Sequence, residues 1–106
     1  MTAAARQKQL IVAEVTRPVL PRHAKLRFDG TRQRWVILAP ERVLAPDDIA
    51  VEVLQLCDGV RSVTTIIDSL VEKYNAPREA IAGDVITMLQ DLADKGFLTQ
   101  PREIAR

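Results

Sequence analysis

Hydrophobic and polar positions alternate with period two from Ala24 to Asp29: Ala24, Leu26 and Phe28 fall on one face, Lys25, Arg27 and Asp29 on the other. That alternation predicts a half-buried antiparallel strand. Asp29-Gly30 then signals a turn. Arg34 to Ala39 reads as a second strand with apolar residues on both faces, Trp35, Ile37 and Ala39 on one and Val36 and Leu38 on the other. Either the N-terminal segment or a partner must cover its second face. Pro40-Glu41 turns the chain, and Arg42 to Ala45 runs back as a short third strand cut off by Pro46.

The period then lengthens to that of a helix. Asp47 is placed to cap a first helix with the stripe Ile49, Val53, Leu56 and Cys57, closed at Gly59. Ser62 caps a second, with the stripe Val63, Ile66, Ile67, Leu70, Val71 and Tyr74. After the Asn75-Ala76-Pro77 break, Pro77 suits the first turn of a third helix. Its stripe is Ile81, Val85, Met88, Leu89 and Leu92, and it ends at Gly96, with Ile86, Ala82 and Ala93 off the main stripe. Phe97-Leu98-Thr99 can add a short strand or staple that end. Three strands followed by three helices predict an α+β class. The expected arrangement is winged-helix-like, a small three-stranded antiparallel sheet packed on a three-helix bundle. Residues 1–16 show no clear period and are expected as a flexible arm, 17–98 as the domain, and 99–106 as a disordered tail.

Length and composition narrow the class. One modest core fits 106 residues, and with only 4% aromatics it must be aliphatic. Cys57 is the only cysteine, so no intramolecular disulfide and no multi-cysteine zinc site can form. No run of about 18 apolar residues predicts a membrane span. The first residues make a poor signal peptide, so a cytoplasmic location is expected. Charge is sorted along the chain. Residues 1–42 hold nine Lys and Arg against three acids, and residues 43–106 hold six against eleven. The bland reading is a solvated surface; the functional one is a basic sheet side that attracts an acidic partner.

No catalytic constellation emerges. His23, the only histidine, has no partner nearby to make it a general base. Cys57 lies on a buried stripe beside Asp58, the wrong charge for a reactive thiolate. Phosphate loops, HExxH and CxxC are missing. A winged helix also invites a nucleic-acid-binding regulator as the alternative. However, the third helix carries Arg78 and Lys95 against Glu79, Asp84, Asp91 and Asp94, which repels a phosphate backbone. What remains is a groove between the edge strand Arg42–Ala45 and the third helix. Val43, Leu44, Ile86 and Leu89 could form its apolar floor, though Leu89 also fits the core. An extended peptide suits such a groove by β-augmentation. On that reading Leu44→Pro should weaken peptide binding while the helices persist.

The segment from Arg17 to Leu70 resembles the coenzyme PQQ (pyrroloquinoline quinone) synthesis protein D family. The residues that carry the resemblance are Arg17-Pro18, Leu26, Asp29, Arg34, Leu38-Ala39-Pro40-Glu41 and Leu56-Cys57-Asp58-Gly59. Further along, Asp84-Val85 followed by Leu89, Leu92 and Gly96 extends it to about residues 17–98. Ala45-Pro46-Asp47 departs from the Leu-Asn often seen before the first helix of that family. The resemblance implies a non-catalytic peptide chaperone with no cofactor of its own. It would bind the ribosomal PQQ precursor peptide and present it to a radical S-adenosylmethionine enzyme. By the same resemblance the peptide-binding residues are Arg42, Val43, Leu44 and Ala45 with Val85, Ile86, Leu89 and Ala93. Neither nucleic acid nor membrane is an expected partner, and exposed strand edges are compatible with exchange into a homodimer.

Overall fold

The computed structural model describes residues 10–101. Three strands, β1 (Lys25–Asp29), β2 (Arg34–Ala39) and β3 (Arg42–Leu44), precede three helices, α1 (Asp48–Gln55), α2 (Val63–Tyr74) and α3 (Arg78–Asp94). The sheet is antiparallel in the order β1-β2-β3, so β2 is central and β3 forms an edge. Leu26, Ile37 and Leu44 lie opposite one another across the three strands and face the helices. Their neighbours one position away therefore face the other side. The α+β expectation holds, strand for strand and helix for helix.

Local chemistry sets the element ends. Asp29 Oδ1 accepts from the amides of Thr31 and Arg32 and shapes the β1–β2 loop. Asp47 Oδ1 caps α1 by accepting from Ala50 N at 2.8 Å, and Ser62 Oγ caps α2 by accepting from Thr65 N at 3.3 Å. α2 stops where Asn75 turns left-handed, with φ 52°. Gly59 has φ +81°, a conformation that strains other residues, and an added Cβ would crowd Pro101 Cγ at 3.1 Å.

The stripe in α1 is rotated from the expected one. Ile49 is exposed, and the buried residues are Ala50, Val51, Val53, Leu54 and, just past the helix, Cys57. Both sets obey helical spacing, and the choice falls to the set that meets Ile37 and α2 in the core. α1 also ends at Gln55, short of Gly59, because Asp58 turns the chain by accepting from the amides of Val60 and Arg61. In α2 the stripe holds through Leu70, whereas Tyr74 is half exposed and donates from its hydroxyl to Glu52.

Leu10 to Thr16, expected within a flexible arm, lies against α2 and α3. Val12 is buried in the core. Gln90 grips the segment's backbone, accepting from Val12 N and donating to Leu10 O, both at 2.8 Å. Glu14 accepts from Arg78 and Thr64, and Thr16 O accepts from Val63 N. These long-range contacts, to side chains and to the backbone at the start of α2, leave no periodic trace in the sequence. At the other end Thr99, expected to open a disordered tail, pairs with Val19 in both directions, at 2.9 and 2.8 Å; the result is an isolated bridge rather than a strand. The expectations for residues 1–9 and 102–106 lie outside the described residues.

Candidate functional site

β3 owes its position to the Pro40-Glu41 turn. Ala39 and Arg42 are directly opposed, and Glu41 takes φ 65°. Proline followed by a left-handed residue is the pattern of a type II turn. A two-residue connection makes Ala39 and Arg42 a hydrogen-bonded pair, so the next pair, Leu38 and Val43, is not hydrogen-bonded, and Ile37 and Leu44 are again. Val43 therefore points its amide and carbonyl away from β2, toward the open edge. Leu44 points its own inward. Three residues on, Asp47 begins the cap of α1 and the strand can go no further.

Arg42 joins this edge to the end of α3. Its guanidinium donates to the Lys95 carbonyl and stacks 4.3 Å over the Phe97 ring. A cation at a helix C-terminus is favoured by the helix dipole. Val43 is 61% exposed, Ala45 is exposed and Leu44 is half-buried against the core.

On α3 the four predicted residues divide. Val85 and Leu89 are buried in the core, at 3% and 0% exposure, and offer no surface. They hold α3 in place because they lie at the centre of the same stripe as Leu92. Ile86 and Ala93 are half-buried on the flank. Ile86 lines an open depression of about 410 Å³ together with Thr87, Gln90, Asp91 and Asp94. Gln90 was not among the predicted site residues. Its side chain forms one wall of the depression while it holds the Leu10–Val12 backbone, a role for which the sequence offers only a polar residue on the flank of the stripe. The structure leaves Arg42, Val43 and Ala45 exposed and Leu44, Ile86 and Ala93 half-buried; Arg42 is tied to the end of α3, while Ile86 lines the depression beside Gln90. Val85 and Leu89 fall away.

His23 is exposed beside the Pro21–Ala24 turn. Cys57 donates to the Val53 carbonyl at 3.3 Å, and burial pushes its thiol up to about 12, leaving it inert as a nucleophile. Among the described residues no group of three or more His, Cys, Asp or Glu could hold a metal ion, and no helix is long and apolar enough to cross a membrane.

The family model for coenzyme PQQ synthesis protein D matches residues 34–98, from the start of β2 to just beyond α3. The chain belongs to that family. A PqqA binding protein of Rhodopseudomonas palustris strain BisB5 is 72% identical over 98 residues, covering 92% of this chain and 96% of the relative. The bifunctional coenzyme PQQ synthesis protein C/D of Methylorubrum extorquens is 46% identical over 81 residues, covering 76% of this chain but 22% of that longer protein. Among solved structures, the solution NMR structure of the PqqD truncation of Methylobacterium extorquens PqqCD matches with a TM-score of 0.72 at 42% identity. It covers 84% of this chain and 95% of that one, and is described as a functional, stand-alone recognition element for ribosomally synthesised and post-translationally modified peptides. In PqqD terms, the match includes the Pro40-Glu41 turn, β3 and all of α3.

Proposed function

We propose that this protein is a non-catalytic peptide chaperone of pyrroloquinoline quinone biosynthesis. It binds the PQQ precursor peptide in extended form along β3 and presents it to a radical S-adenosylmethionine enzyme. The observation that carries the reading is the outward-facing backbone of Val43 on a short edge strand, next to Arg42, which ties that strand to the end of α3. A peptide laid there gains main-chain hydrogen bonds from the strand and apolar contact from the helix flank. Arg42, Val43, Leu44, Ala45, Ile86 and Ala93 make the contacts, and Val85 and Leu89 position the helix. The names of the relatives support the peptide as ligand, and the C/D fusion supports a place beside other enzymes of the pathway.

The test is calorimetric titration with the precursor peptide at two salt concentrations. One-to-one binding that weakens only gently with salt is the expected result. A steep loss, with a log–log slope of several units, would instead mark a nucleic-acid-like electrostatic mode. Absence of binding by the folded protein, alone and with the radical enzyme present, would refute the assignment.

A further inference from the structure

The outer face of the sheet carries a composition that the peptide groove does not explain. Across the strands, Lys25, Leu38 and Val43 stand in one row, Arg27 and Val36 in the next, and Asp29 and Arg34 in the third. Leu38 and Val43 are 42% and 61% exposed, whereas Val36, in the middle row, is buried at 3%, so the exposed apolar centre is Leu38 and Val43 alone. Around them Lys25, Arg27 and Arg34 are all exposed, and among the described residues no carboxylate lies within ion-pair distance of any of the three. The helical half treats its cations differently. Arg61, Lys73, Arg78 and Lys95 are each paired with an acid, at Asp58, Glu52, Glu14 and Asp68, and Asp91 respectively. The one acid of the outer face, Asp29, is engaged by Arg32 and by the loop amides. An apolar centre ringed by uncompensated positive charge is suited to an acidic protein surface with an apolar centre of its own.

We propose that this face docks the enzyme that receives the peptide, through an acidic patch on that enzyme; the proposal rests on the peptide-chaperone reading above. A geometric consequence of strand addition favours this occupant. A peptide paired along β3 continues the pleat, so every second side chain projects onto the outer face beside Val43. An enzyme seated on Leu38, Val43 and the basic ring then meets those side chains directly.

The test uses the full chain, the precursor peptide and the radical S-adenosylmethionine enzyme of the pathway. The triple variant K25E/R27E/R34E should bind the peptide within twofold of wild type. Its association with the enzyme should weaken at least tenfold at low salt, and the salt dependence seen with wild type should flatten. R27A/R34A, the milder change, should give an intermediate loss and serves if the triple variant misfolds. Unchanged enzyme association in a variant that still binds peptide would overturn the proposal. So would tighter binding of a DNA duplex than of the enzyme, lost in the same variant, which would assign the face to nucleic acid. Failure of the wild-type chain to bind peptide, with enzyme association still lost on charge reversal, would count against the chaperone reading and leave the docking face standing.

Discussion

Replacing Val43 with proline separates the edge from the fold. The Val43 amide points away from β2, so no bond of the β2–β3 ladder is lost. Arg42, which precedes it, is already in a strand and tolerates the restriction proline imposes. What disappears is the donor offered to a docked peptide. A peptide carbonyl left unpaired beneath the complex costs about 1–3 kcal/mol. At 1.4 kcal/mol per factor of ten, Kd should rise about 5- to 140-fold. Val43→Ala is the control for the side chain, which is 61% exposed in the free protein and should contribute less. Leu44→Pro, the variant suggested by the sequence alone, is a poorer test. Its amide belongs to the pair with Ile37, so it would damage the sheet as well as the edge. Calorimetric titration measures the affinity and thermal denaturation the fold. Wild-type affinity in a Val43→Pro protein with unchanged melting would refute edge-strand docking.

Other perturbations probe the scaffold. Glu41→Gly relieves a left-handed residue at φ 65° and should leave stability unchanged or raise it by about 1 kcal/mol in denaturant unfolding. Gln90→Ala releases the backbone of Leu10 and Val12 and should cost about 1–2 kcal/mol, with faster hydrogen exchange at the Val12 amide as the local reporter. Hydrogen bonding from Arg78 and from Lys73 holds the Glu14 and Glu52 carboxyls below their ordinary value of 4.5. Their stabilising contribution is therefore complete above that value and is lost as pH falls through the lowered folded-state value, so unfolding free energy should decline on acidification from about pH 5, and less so in Glu14→Gln. Cys57, with its thiol raised to about 12 and 6% exposed, should react with a thiol reagent at neutral pH only as fast as the protein opens.

The sequence by itself determined the element order and type. Period-two alternation from Ala24, the 3.6-residue stripes of α2 and α3, and the caps Asp47 and Ser62 are local, and local geometry enforces them. It also determined the edge strand, since Pro40-Glu41 and Pro46 bracket β3 whatever surrounds it. Tertiary structure decided which of two equally periodic faces of α1 turns inward. Sequence spacing cannot distinguish Ile49 from Ala50 until the core is assembled. The helical stripe had already turned Val85 and Leu89 inward and left Ile86 and Ala93 off it; the tertiary structure decided the depth of burial, which leaves Val85 and Leu89 no surface to offer a ligand. It placed Leu10–Thr16 through Gln90, Glu14 and Arg78, partners about 50 to 80 residues away in the chain. And it set the direction of each amide on β3, which follows from strand register. A shift of one residue would have made Leu44, and not Val43, the donor at the open edge.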